Sequence, residues 1–237
     1  MIIFSDLDNC MLDSRYTARE LRVFVRSLIN KGILLSIISS KTEKEILYHL
    51  DELGIEASFG AENGCLVSVR KKRYEFGTGS SIIKGDLLKI SKKISVDIEL
   101  LSEMEGERIK NYTKLPEHLI PLARMRRFSE PFIVSRGKIK ELTKELCSLG
   151  YVVWWGGGFY QISKGCSKGR AVRIIRQHIG GYTIGIGDSE NDYGMLDECD
   201  YPVILNNDGS SKYRSFKGHG PEVWKWTVEK LLEEING

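Results

Sequence analysis

Three short apolar runs, each ending in a cluster of polar residues, constrain this chain more than any other feature. Ile2-Ile3-Phe4 leads into Ser5-Asp6-Leu7-Asp8, and Ile33-Leu34-Leu35-Ser36-Ile37-Ile38 leads into Ser39-Ser40-Lys41. Tyr182-Thr183-Ile184-Gly185-Ile186 leads into Gly187-Asp188-Ser189-Glu190-Asn191-Asp192. Runs of this length without polar alternation read as strands buried on both faces of a parallel sheet. Between them lie helical segments with their own start and stop signals. Thr17-Ala18-Arg19-Glu20 reads as a capping box, followed by Leu21, Phe24, Val25 and Leu28 on one helical face and a stop at Lys31-Gly32. Thr42-Glu43-Lys44-Glu45 repeats the box, with Ile46, Leu47, Leu50 and Leu53 on the apolar face and Gly54 as the stop. Strand, helix, strand, helix with short joints predicts an α/β fold, a parallel sheet with crossover helices.

The rhythm continues weakly through an expected strand at 55–59 and a hairpin of 65–69 with 73–77 around Arg70-Lys71-Lys72-Arg73. It then breaks. Gly77-Thr78-Gly79-Ser80-Ser81 reads as a hinge, and the following stretch no longer alternates. Helices are expected at 82–94, 116–124 and 138–149, and strands at 129–135, 150–155 and 158–163, with an undefined acidic stretch at 97–108. That is an α+β insert of domain size. The division is therefore a core at 1–80 and 161–237 interrupted by a smaller domain at 81–160. The α/β pattern resumes with a helix from Lys168, a strand at 182–186, another at 202–205 and a terminal helix opened by Gly220-Pro221.

The 237 residues are 41% apolar and 28% charged, ordinary for a folded protein, and the net charge of +3 is too mild to argue for nucleic acid. No apolar run approaches the roughly 20 residues that span a bilayer. The five cysteines, 10, 65, 147, 166 and 199, are scattered and never form C-x-x-C, a pattern that suits reduced thiols in a cytoplasmic protein. His49, His118, His178 and His219 show no metal-ligand spacing. Trp154 and Trp155 are expected to pack the insert.

Each polar cluster has a plain reading as a turn or a helix cap. In a parallel sheet, however, all the strand ends lie along one edge, where open α/β folds bind ligands. Two acids at one strand tip repel unless a cation or a shared proton intervenes. Magnesium, a hard ion with oxygen ligands and a preference for phosphate, answers that need.

Asp6-x-Asp8, Ser39 after a strand, Lys168-Gly169 and Gly187-Asp188-x-x-x-Asp192 resemble, in order, the four motifs of the haloacid dehalogenase superfamily. The insert between the second and third motifs resembles that superfamily's type-two cap, on a Rossmann-like core. Within it Leu115-Pro116-x-x-Leu119, Arg126-x-Phe128-Ser129-Glu130-Pro131 and Gly157-Gly158-Phe159-Tyr160, together with Ser39-Ser40-Lys41-Thr42 in the core, resemble the mannosyl-3-phosphoglycerate phosphatases. The resemblance implies two-step phosphoryl transfer, with Asp6 as nucleophile, Asp8 as general acid and base, and Lys168 and Ser39 on the phosphate. It implies Mg2+ held by Asp6, Asp8, Asp188 and Asp192 with Asn191 in support, and substrate contacts from Ser40, Lys41, Arg126, Ser129 and Glu130. The substrate implied is a small phosphate ester, mannosyl-3-phosphoglycerate above others, for a monomer or homodimer without nucleic-acid or membrane partners. A broad sugar-phosphate or phosphoglycolate phosphatase, or a non-catalytic phospho-ligand module, is the alternative. Two positions depart from the pattern: Cys10 replaces the usual threonine, and Gly158 stands where the phosphatases carry arginine.

Overall fold

The computed structural model describes residues 1–206 and 211–236. The chain opens with β1 (Ile2–Ser5), α1 (Arg22–Asn30), β2 (Leu34–Ile38), α2 (Glu43–Leu53), β3 (Ser58–Ala61), β4 (Leu66–Val69) and β5 (Lys72–Glu75). Next come α3 (Ser80–Lys93), β6 (Asp97–Leu100), α4 (Gly106–Thr113), α5 (Ile120–Ala123), β7 (Ser129–Arg136), α6 (Ile139–Ser148), β8 (Val152–Gly156) and β9 (Phe159–Ser163). The last stretch holds α7 (Lys168–Ile179), β10 (Thr183–Gly187), α8 (Tyr193–Leu196), β11 (Tyr201–Leu205), β12 (Arg214–Phe216) and α9 (Pro221–Asn236). Two compact units result, one of Met1–Tyr74 with Ser167–Gly237 and one of Glu75–Cys166. Among the described residues no helix is long and apolar enough to cross a membrane.

The first unit is built on a sheet ordered β12-β11-β10-β1-β2-β3-β4-β5, parallel from β12 to β3 and antiparallel between β3 and β4. All four residues of β1 are buried, as its lack of alternation requires. Strand β1 lies between β10 and β2, so the strand order reverses there, and the crevice beyond its carboxyl end is where such sheets hold ligands. Ser5 pairs with Ile186 of β10 and with Ile37 of β2, so the three strand ends finish level. Trp224 of α9, fully buried, donates from Nε1 to Ser5 Oγ at 2.9 Å, and that hydroxyl donates to the Asp6 carbonyl at 2.7 Å. The terminal helix thereby helps fix the backbone at the strand tip.

Local rules account for most element limits. The capping box at α2 forms as expected, and Gly54 closes that helix at φ 67°. Ile55 still bonds back to Leu50, which delays β3 to residue 58. The box expected at Thr17 does not form. Its hydroxyl instead donates to the buried Glu52 carboxylate at 2.7 Å, Arg19 Nε joins the same oxygen at 3.0 Å, and the chain enters α1 through a 3-10 turn. Arg70 and Lys71 both take positive φ, the conformation a tight hairpin of right-twisted strands demands. Cys10, Cys147 and Cys199 are free, but Cys65 and Cys166 are disulfide-bonded, against the expectation of reduced thiols throughout.

The second unit holds an antiparallel sheet ordered β6-β7-β9-β8. Helices α3 and α6 pack together, and Ile83, Leu87, Leu142 and Leu146 meet Phe132 and Ile162 of the sheet in one core. The acidic stretch with no expected structure contains β6, recruited by pairing with β7. Trp155 does not join the core. It is 61% exposed, its ring 4.8 Å edge-on from Tyr160. Gly158 has φ +81°, and a Cβ there would collide with the carbonyl oxygen of Tyr112. The departure from arginine is thus built into the backbone at this turn.

Candidate active site

The site grows from the ends of β1, β2 and β10 and the start of α7. Asp6, one residue past β1, is 6% exposed, and its amide donates to Ile186 of β10 at 3.0 Å. Lys168 is the first residue of α7, whose N-cap Ser167 accepts from the Arg170 amide. Its Nζ reaches Asp6 Oδ2 at 3.3 Å and Asp192 Oδ1 at 2.6 Å, in a setting from which water is nearly excluded. Asp6 Oδ1 is buried with no hydrogen-bond partner.

Asp188 follows β10 directly and is half-buried. One oxygen each from Asp6, Asp188 and Asp192 lie within 4.8 Å of one another. Burial is the main force on Asp6, raising its pKa to about 6; Lys168 opposes this, while Asp192 and Asp8 add to it. Burial, then Asp6 and Asp192, lift Asp188 to about 7. Burial also works against the charge of Lys168, yet Asp192 and Asp6 together hold its ammonium well above the usual value. The acids are short of positive charge, and a divalent cation at the shared oxygens would supply it.

Glycines shape the acidic loop. A Cβ on Gly187 would stand 2.7 Å from Asp192 Cγ and 2.8 Å from its Oδ2, and one on Gly169 would meet the carbonyl oxygen of Gly194. Gly187→Ala therefore displaces the carboxylate that holds Lys168. Overpacking of this kind costs about 1–3 kcal/mol, so a lower thermal midpoint is expected together with a fall in turnover of about tenfold or more.

Residues 3–106 and 86–211 match the family model of the haloacid dehalogenase-like hydrolases. The chain belongs to that family. A glucosyl-3-phosphoglycerate/mannosyl-3-phosphoglycerate phosphatase of Persephonella marina is 34% identical over 99% of this chain and 98% of its own length. A mannosyl-3-phosphoglycerate phosphatase of Pyrococcus furiosus is 28% identical over 87% of this chain and 91% of its own. The crystal structure of a Streptococcus mutans protein shares the fold with a TM-score of 0.74 at 19% identity, covering 98% of both chains. Within the haloacid dehalogenase-like hydrolases, the chain is a phosphatase.

The remaining residues expected at the site of this hydrolase divide between the two units. In the first, Ser39 follows β2 directly and is fully buried, its hydroxyl pulling the Asp6 pKa down. Asp8 turns its carboxylate to Lys41, with 2.9 Å between Oδ1 and Nζ. Ser40 is half-buried beside it. Two of the expected cation contacts are otherwise engaged. Asp192 spends Oδ1 on Lys168 and Oδ2 on the amides of Asp188 and Ser189, and Asn191 donates to Asn63 Oδ1 at 3.0 Å. Cys10 is fully buried; desolvation, with Asp188 and Asp6 adding to it, pushes its thiol well above the ordinary value, so it stays neutral.

In the second unit Arg126 Nη1 donates to Ser129 Oγ at 3.0 Å. Glu130 is buried, accepting from the Ser102 amide at 3.0 Å, with Lys84 Nζ at 3.4 Å. These bonds are internal to that unit. One participant escaped the sequence reading: Asn9, at φ 55°, donates from Nδ2 to Asp188 Oδ2 at 2.9 Å. Its signal was the Asp-Asn pair itself, because asparagine tolerates the left-handed turn that aims a side chain back across the crevice.

Proposed function

We propose that this chain is a magnesium-dependent phosphatase that releases phosphate from a hexosyl-3-phosphoglycerate, the mannosyl ester first, through a phosphoryl-aspartate on Asp6. The observation that carries the reading is the Asp6 carboxylate: buried, with one oxygen on Lys168 and the other unpartnered. The substrate class follows the names of the relatives that align over nearly the whole chain.

In the first step an Asp6 oxygen bonds to phosphorus as the ester P–O bond breaks, and Asp8 gives its proton to the departing alcohol oxygen. In the second, Asp8 takes a proton from water, the water oxygen bonds to phosphorus, and the Asp6–phosphorus bond breaks to release inorganic phosphate. Lys168 and Ser39 donate to phosphoryl oxygens, and Asp192 keeps Lys168 in place. The unpartnered Asp6 oxygen, the proximity of Asp188 and the raised values of both acids fit a hard divalent cation, held by Asp6 and Asp188 with support from Asp8. When bound, Mg2+ offsets negative charge on the phosphoryl group and orients it. Asp192 and Asn191 then support the loop rather than coordinate.

Phosphate release from a panel of esters, with Mg2+ and with EDTA, tests the reading. A rate for mannosyl-3-phosphoglycerate far above simple sugar phosphates supports it, equal rates make the enzyme a broad sugar phosphatase, and no release sinks it. Cation binding also has a readout in stability. Asp6 and Asp188 titrate near 6 and 7 in the folded chain against an ordinary 3.8, so the native state binds more protons than the unfolded state between about pH 4 and pH 7. The cation-free protein therefore loses stability as pH rises through that window. In EDTA the thermal midpoint is expected to fall by about 5 °C or more between pH 5 and pH 8, with Mg2+ restoring it at pH 8 and having little effect at pH 5. A midpoint indifferent to both pH and Mg2+ contradicts the cation assignment.

A further inference from the structure

Asn9 holds Asp188 from across the crevice, in a backbone turn preset for that contact. Its φ of 55° is left-handed, a conformation that asparagine tolerates and most residues avoid. The peptide is fixed on both flanks. Gly220, just ahead of α9, donates from its amide to the Asn9 carbonyl at 2.7 Å. The amides of Cys10, Met11 and Leu12 all donate to the Leu7 carbonyl, at 3.2, 2.9 and 3.0 Å. From this turn Nδ2 donates to Asp188 Oδ2 at 2.9 Å. The side-chain amide has one workable orientation here, because reversing it would set its carbonyl oxygen against a carboxylate oxygen, acceptor against acceptor.

That bond completes a pattern in how the clustered acids commit their oxygens. Asp192 has both engaged, Oδ1 by Lys168 and Oδ2 by the amides of Asp188 and Ser189. Asp6 has Oδ2 on Lys168 at 3.3 Å and keeps Oδ1 without a partner. Asp188 has Oδ2 on Asn9, and among the described residues no other side chain donates to it. Asp6 and Asp188 therefore each leave one oxygen for a cation. Divalent ions differ in how well that suits them. Ca2+ gathers about six to eight oxygens and readily takes both from one carboxylate. Mg2+ is smaller, demands octahedral order, and completes its shell with water and phosphate. Single carboxylate oxygens suit Mg2+ and handicap Ca2+.

We propose that Asn9 is a positioning residue that withholds Asp188 Oδ2 and so biases the cation site toward Mg2+ and against Ca2+. The inference rests on the cation site of the proposed function. Calorimetric titration of the full chain with MgCl2 and with CaCl2 tests it, on the wild type and on Asn9→Gly. Glycine keeps the left-handed turn and removes the amide, so the thermal midpoint in EDTA is expected to stay within about 5 °C of the wild type. Losing a hydrogen bond that orients a ligating carboxylate costs about 10- to 100-fold in metal affinity, and Mg2+ is expected to bear that loss. Ca2+ gains the released oxygen in exchange, so the preference for Mg2+ over Ca2+ is expected to shrink by about tenfold or more. A wild type that prefers Ca2+, a ratio that Asn9→Gly leaves unchanged, or a loss of both cations together overturns this inference alone. So does a larger fall in the midpoint, which assigns Asn9 to the fold. A wild type that binds neither cation overturns the cation reading as well.

Discussion

Asp6→Asn abolishes phosphate release while leaving the fold in place. The amide cannot bond to phosphorus as a carboxylate does, and removal of a nucleophile costs on the order of 10⁵-fold or more in turnover. Stability moves the other way. At neutral pH the Asp6 carboxylate is buried beside Asp188 and Asp192, and burial already lifts its pKa to about 6. A neutral side chain of the same shape relieves that repulsion, and Lys168 keeps Asp192 at 2.6 Å. The variant is expected to melt at or above the wild-type midpoint at pH 8 in EDTA, while a midpoint lower by more than about 5 °C assigns Asp6 a structural role instead. Residual turnover above about one part in a thousand moves the nucleophile elsewhere.

Lys168→Met fails for a different reason, because here fold and chemistry depend on one ammonium. Methionine fills much of the space, yet Asp6 and Asp192 are left buried without their cation. Breaking a buried pair in this way costs about 3–5 kcal/mol, and losing a donor aimed at the phosphoryl group costs roughly a further 10²- to 10³-fold in turnover. Adding Asp192→Asn should return part of the stability and none of the activity. Urea unfolding separates the two effects, and equal midpoints for Lys168→Met and the wild type would show that the pair holds nothing together.

The parallel core was legible because its strands are continuous apolar runs. Nothing but a two-sided burial explains Ile2-Ile3-Phe4, and once β1 is central, Asp6, Ser39 and Asp188 must finish level at one edge. Less visible were elements defined by their partners. Strand β6 carries Asp97 and Glu99 and exists because β7 offers it a ladder; β12 is a three-residue edge strand with no apolar run at all. Thr17 misled because its capping pattern is local, whereas the buried Glu52 that captures its hydroxyl is 35 residues away. At the site, residue types identified the acids but not the division of labour among them. Asp192 looks like a cation ligand by spacing, and only geometry shows both its oxygens already engaged by Lys168 and two loop amides. Lys41 looks like a substrate contact, and only distance reveals that it meets Asp8 first.

The covalent step is the claim on which the rest depends, and Asp8→Asn exposes it. An aryl phosphate has a leaving group that needs no proton, so the first step proceeds in this variant, while the missing base stalls the second. Mixed rapidly with the aryl ester and Mg2+, then quenched in acid, Asp8→Asn is predicted to release one equivalent of aryl alcohol and to carry one phosphoryl group on the peptide containing Asp6. Release of the alcohol with that peptide unmodified, or with the phosphoryl group on another residue, contradicts the account.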